Sequence, residues 1–132
     1  MVMDQSRLYN DILRALSLVL DIDEGQKLYH AWRVGLLSFR LAQFMDLPNQ
    51  NLLFTAGLLH DIGGVGLADH LVHHTTNGFK NRRARAHPQK GVEILRPIHL
   101  FHTVLPFIAD HHEHFDGSGF PSGKKGTEIP IE

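Results

Sequence analysis

The stretch from Asn49 to Gly64, N-Q-N-L-L-F-T-A-G-L-L-H-D-I-G-G, reads as a helix that ends in a histidine and an aspartate. Asn49 or Asn51 is placed to cap its start. Leu53 and Ala56 share a face with His60 at helical spacing, so the imidazole points toward the core. Gly63 and Gly64 end the helix, because glycine takes the left-handed conformation cheaply. Asp61 then falls where the helix stops, beside that core, and a carboxylate there is costly unless it is paired or bound to metal. For His60 alone, a buried ring bonded to the backbone is the plainer explanation. The rest of the chain has to decide.

Outward from this segment the periodicity stays helical, and no long apolar and polar alternation marks a strand. A first helix is expected from about Ser6 to Leu20, with Leu8, Ile12, Ala15, Leu16 and Val19 on its stripe. Asp21 to Gly25 reads as a connection. A second helix is expected from about Gln26 to Met45, with His30, Val34, Leu37, Leu41 and Phe44 as its buried stripe. Residues 64 to 80 read as a loop with at most one helical turn, carrying His70, His73 and His74 into solvent. Pro88 suits the first turn of a helix running to about Leu95. One more helix is expected from about Leu100 to His112. The tail D-G-S-G-F-P-S-G-K-K-G reads as an ordered, turn-rich loop, with Gly117, Ser118 and Gly119 shaping a turn. The fold class is therefore all-α, a helical bundle with a site between its helices.

Composition narrows the chemistry. Basic and acidic residues nearly balance at 13 and 14, which gives no electrostatic case for a nucleic-acid polymer or an anionic membrane as partner. Cysteine is absent, which excludes disulfides and thiolate metal sites. The start M-V-M-D-Q-S-R has no basic and apolar leader pattern, and no apolar run reaches the ~20 residues that cross a bilayer. A cytoplasmic protein is expected. Histidine stands out, with 11 copies scattered through the interior of a 132-residue chain.

Those histidines recur where apolar faces end. His30 lies on the stripe of Val34 and Leu37. His87 precedes Pro88 at a helix start. His111 and His112 follow Ile108 by three and four residues, extending the buried side of their helix. Several buried polar rings and one carboxylate are hard to explain as packing, because each would carry a desolvation cost of roughly a few kcal/mol. A shared cation site satisfies them together. His30, His60, Asp61, His87, His111 and His112 exceed what one tetrahedral ion takes. They suit two ions with Asp61 as the bridging, catalytic carboxylate.

In order, the chain carries Y-H-A-W-R-V, L-L-H-D-I-G-G-V-G, A-H-P-Q-K-G-V-E-I-L and H-H-E-H-F-D-G-S-G-F-P-S-G-K-K-G. This succession, from about Lys27 to Ile131, resembles the HD-GYP class of HD-domain metal-dependent phosphohydrolases. The resemblance implies an all-helical HD fold, a centre of two or three iron or manganese ions, and hydrolysis of cyclic di-GMP or a related cyclic dinucleotide. By position, His30, His60, Asp61, His87, His111 and His112 match the ligand positions of that class. Four departures stand beside the match. Gln26 replaces a glutamate tied to a third ion, which favours two ions. Gly64 replaces a lysine that holds substrate phosphate. Phe120 replaces the tyrosine of G-Y-P, keeping the ring without its hydroxyl. A further aspartate ligand of the class would lie on a helix beyond Glu132. Residues 1–132 are accordingly expected to form one HD domain without its C-terminal helices, joined to or acting beside a sensor or regulatory domain.

The expected reaction is attack on phosphorus by a hydroxide bridging the two ions. Glu113 and Asp116 are placed to orient ligands. Arg33 is expected to pair with core carboxylates, with reach to substrate phosphate as the functional alternative. Lys80, Arg82, Arg83 and Arg85 read as a solvated face, with attraction of substrate phosphates as the functional alternative. His99, His102 and His114 read as surface residues or as neighbours that support the ligands. The alternative to the enzyme is an HD-domain signalling module that binds metal or nucleotide without efficient turnover, which Gly64 and Gln26 favour. A mononucleotide hydrolase is disfavoured by the D-G-S-G-F-P segment.

Overall fold

The computed structural model describes residues 4–23, 29–67 and 82–130, and every regular element among them is helical. In chain order these are α1 (Gln5–Asp23), α2 (His30–Phe44), α3 (Gln50–Leu59), a 3-10 turn (Ile62–Gly64), α4 (Arg82–Arg85), α5 (His87–Leu95), a 3-10 stretch (His99–Val104), α6 (Leu105–Asp110) and a last 3-10 turn (Gly126–Glu128). The all-α expectation is met, and the helices gather around one core. Leu58, Leu59, Leu95, Phe101 and Ile108 form its fully buried centre. Burying side chains of this size contributes about 1.5–3 kcal/mol each.

Asp4 opens α1 by accepting the Ser6 amide at 3.0 Å on its carboxylate. The helix runs to Asp23, so residues 21–23 are helical where a connection is expected, and Gln26 lies outside the described residues. Across the core, the Thr55 hydroxyl donates to the Asn51 carbonyl at 3.0 Å. It is left to accept the Tyr9 hydroxyl at 2.9 Å, which ties α1 to α3.

The packing of α2 corrects the expected stripe. Leu37, Leu41 and Phe44 are exposed, Phe44 by 88%. The buried positions are Ala31, Gly35 and Ala42. Small residues win here because α2 and α3 cross backbone to backbone. A Cβ on Gly57 would stand 2.8 Å from the Gly35 Cα, too close for any side chain. Large apolar residues on that face of α2 would push the helices apart.

Three further details depart from the expected boundaries. Asn49 does precede α3, but as a left-handed residue at φ 57° with no side-chain cap; its carbonyl accepts the Leu52 amide at 2.8 Å. Gly63 and Gly64 are not left-handed. They form a 3-10 turn, and the close approach of Gly63 to α5 is what requires glycine. The helix expected over 100–112 is split at Val104, because Pro106 lacks an amide hydrogen and fits only the first turn of a new helix. The basic stretch 82–85 is itself a helical turn, with Arg82, Arg83 and Arg85 exposed. No helix among the described residues is long and apolar enough to cross a membrane.

Candidate metal centre

Four chain segments deliver the centre. The end of α3 brings His60. The backbone then leaves helical geometry at Asp61 (φ −97°, ψ 11°) and enters the 3-10 turn, with the Gly64 amide bonding the Asp61 carbonyl at 2.7 Å. This break lets two adjacent side chains serve one site, where a continuing helix would place them about 100° apart. His30 opens α2, preceded by Tyr29 in the left-handed region at φ 63°. His87 opens α5 and is 1% exposed. Its placement depends on Gly63, where a Cβ would collide with the His87 carbonyl and the Gly91 amide. His111 and His112 follow the end of α6.

A common device fixes three of the rings. The Nδ1 atoms of His60 and His111 each lie 2.8 Å from the carbonyl three residues earlier, Gly57 and Ile108, and His87 makes the same contact with Ala84. A carbonyl only accepts, so Nδ1 carries the proton. In a neutral imidazole Nε2 is then a bare lone pair, and each Nε2 faces inward. The plain reading of a backbone-bonded histidine and the ligand reading thus hold together, on opposite nitrogens of the same ring.

At the middle lies Asp61, 6% exposed. Its Oδ2 is 2.9 Å from His60 Nε2 and 3.8 Å from His30 Nε2. Its Oδ1 is 3.1 Å from His87 Nε2 and 3.6 Å from His111 Nε2. The donors therefore divide into two groups that share this carboxylate: His30, His60 and Asp61, and Asp61, His87, His111 and His112. Within each group all donor atoms lie within 4.8 Å of one another.

Electrostatics keep these groups in binding form. Burial pushes the Asp61 carboxyl up, but the charge of His60 and hydrogen bonds from His111, His30 and His60 outweigh it and hold the group well below its usual range. Burial lowers His111. Burial, then the charges of His111 and His87, lower His112 to about 3, so its ring is neutral at pH 7. An ionised carboxylate ringed by imidazole nitrogens is a donor set that a divalent cation fits, taking the place of the ring protons that otherwise bond Asp61.

All six residues singled out from the sequence thus converge. Glu113 and Asp116 do not orient the rings as expected. The buried Glu113 carboxylate accepts the amides of Ser122 (2.6 Å), Gly123 (3.1 Å) and Lys124 (3.0 Å), while Asp116 is exposed and accepts the Ser118 amide at 2.8 Å. Both organise the tail loop. Arg33, His99, His102 and His114 are exposed. His70, His73, His74 and Lys80 lie outside the described residues. Sequence reasoning missed the ion pair of Lys124 Nζ with the buried Asp110 Oδ2 at 2.5 Å. The signal was an aspartate on the buried side of α6, one residue before the paired histidines. A cleft of about 360 Å³ opens beside His60 and His111, walled by Val34, Leu53, Ala56 and Phe107.

Comparison with known proteins gives the family. The family model of the HD domain matches residues 16–132. A 3'3'-cGAMP-specific phosphodiesterase of Vibrio cholerae is 34% identical over 108 residues, covering 77% of this chain and 21% of its own length. The cyclic di-GMP phosphodiesterase of Thermotoga maritima is 31% identical over 141 residues, covering 92% and 34%. A cyclic di-GMP phosphodiesterase response regulator of Xanthomonas campestris is 38% identical over 129 residues, also covering 92% and 34%. The chain thus spans between about a fifth and a third of the length of these relatives. With its helical core, its histidine and aspartate cluster and a match over most of its residues, the chain belongs to the HD-domain family.

Proposed function

We propose that this chain is the hydrolytic domain of a cytoplasmic, metal-dependent phosphodiesterase acting on cyclic di-GMP or a related cyclic dinucleotide. The observation that carries the reading is the division of labour at Asp61, whose two oxygens face separate imidazole groups. His30 and His60 with Asp61 would hold one ion, and His87, His111 and His112 with the same carboxylate would hold the other. Nitrogen and oxygen donors without thiolate accept iron, manganese, zinc or nickel alike, and the resemblance to the HD-GYP class is what favours iron or manganese. When bound, such a pair acidifies a water molecule and neutralises charge on the phosphodiester oxygens.

The chain's own residues do the rest. Asp61 fixes the two subsites relative to each other. The Nδ1 bonds of His60, His87 and His111 stop those rings from swinging, so their Nε2 lone pairs stay aimed. The adjoining cleft offers apolar walls at Val34, Leu53 and Phe107 for a nucleotide base, next to the charged centre. Residues 1–132 act as one HD domain, joined to or beside a sensor or regulatory domain, a reading supported by the response-regulator relative.

The test combines elemental analysis with turnover of cyclic di-GMP, 3'3'-cGAMP, a linear dinucleotide and a generic phosphodiester in manganese or iron. Hydrolysis of a cyclic dinucleotide is expected. Full metal occupancy with no product from any of the four would remove the reading. A second reading, a signalling module that binds without turnover, is favoured by Gly64, which is buried in the 3-10 turn and offers no ammonium to a phosphate. Tight dinucleotide binding without product would select it.

A further inference from the structure

His60, His87 and His111 are set by backbone carbonyls, and His112 has a contact of another kind. Its imidazole lies nearly parallel to the Phe120 ring, with centroids 4.6 Å apart and planes at 19°. Phe120 is only 5% exposed, although it sits in a turn-rich loop. Two fastenings bring it there. The Phe120 amide bonds the His112 carbonyl at 3.1 Å, and Glu113 gathers the three amides that follow Pro121. The Arg85 guanidinium carbon stands over the same ring, 5.1 Å from its centroid. A flat contact of this kind fixes the plane of an imidazole, which apolar volume alone does not. It uses the ring face, so a para hydroxyl is not required.

We propose that Phe120 is a positioning residue, braced by Arg85, that sets the plane of His112 for the subsite made with Asp61, His87 and His111. The inference rests on the metal-centre reading and deepens it, because it assigns the F of D-G-S-G-F-P a task at one of the two subsites only. His30 and His60 lie in the other group and are untouched by it.

Cobalt(II) titration of the protein tests this, followed by visible absorption and by equilibrium competition with a chelator. The native protein is expected to take two equivalents. Phe120→Leu keeps apolar bulk and loses the plane; it should weaken one equivalent by roughly 10–100-fold and leave the other unchanged. Phe120→Tyr, which keeps the ring face, should bind both equivalents like the native protein. The cycle with His112→Ala separates positioning from packing: in that background Phe120→Leu should cause no additional loss. Should the leucine variant not fold, Phe120→Met takes its place in the same cycle. The proposal is overturned if Phe120→Leu binds like the native protein, if both equivalents weaken together, or if the loss persists undiminished in His112→Ala. A native protein that takes up no cobalt overturns the metal reading itself, which is a different result from native uptake with an unaffected Phe120→Leu.

Discussion

The Nε2 atoms of His87 and His111 lie 2.9 Å apart, although both rings direct Nδ1 at a backbone carbonyl. In neutral rings this puts lone pair against lone pair, a repulsion that a shared cation turns into attraction. Manganese or cobalt should therefore raise the thermal unfolding midpoint, and a chelator should lower it again. At a free metal concentration 100 times Kd the gain is about 2.7 kcal/mol. An unchanged midpoint in saturating metal would contradict the arrangement.

Asp61→Asn replaces a two-oxygen carboxylate with a neutral amide that has a single acceptor. Because Asp61 belongs to both donor groups, both ions should be lost together rather than one. Activity should fall by more than the roughly 10–100-fold typical of a residue that only orients a ligand. Metal content by elemental analysis checks this, and retention of one full equivalent would count against a bridging role.

The metal-free protein should lose stability as pH falls below neutrality. His112 has its folded-state pKa pushed from 6.5 to about 3, and His111 is shifted in the same direction. Between those values the unfolded chain binds more protons, so stability is full above about 6.5 and declines toward 3. Asp61, held low in the fold, contributes stability above its ordinary 3.8 that is lost as pH drops further. Urea unfolding of the chelated protein from pH 7 to 4 measures the slope. His112→Phe should flatten it.

Gly63→Ala inserts a methyl where the His87 carbonyl and Gly91 amide already stand. Both neighbours are backbone and cannot rotate away. The expected destabilisation is about 1–3 kcal/mol, with weakened metal binding because α5 must move and carries His87 with it. Denaturant midpoints and cobalt titration on the same sample read both effects.

Glu113→Gln leaves one amide oxygen to serve three amide donors, and it removes the charge that strengthens those bonds. A loss of about 1.5–3 kcal/mol is expected, concentrated in the tail loop. Hydrogen exchange should quicken at Ser122, Gly123 and Lys124 before it changes in α3.

The site was more legible in the sequence than the packing was. Although His30 was reached through a stripe that is largely exposed, His60, Asp61, His87, His111 and His112 could be picked out because each sits where a buried helical face starts or stops, and titratable groups there need a reason. The buried face of α2 could not, because hydrophobic periodicity follows large side chains and the α2 contact with α3 is made by Ala31, Gly35 and Ala42. Close backbone crossing favours residues that a hydropathy pattern hardly registers. Gly63 misled for a related reason: glycine is read as a left-handed turn, yet here it is a clearance. The partners of Glu113 lie nine to eleven residues on, a separation that only the folded loop brings together.

Orientation of three imidazoles by the main chain has a consequence for how freely this protein can vary. Gly57, Ala84 and Ile108 contribute through atoms every amino acid possesses, so a change of side chain at Ala84 or Ile108 leaves the acceptor in place, while Gly57 is held to glycine by the helix crossing and not by its role as acceptor. Sequence drift at these sites threatens the centre only by shifting helices, never by deleting an orienting group. The aim of the rings is thereby inherited with the fold and not with any particular neighbour.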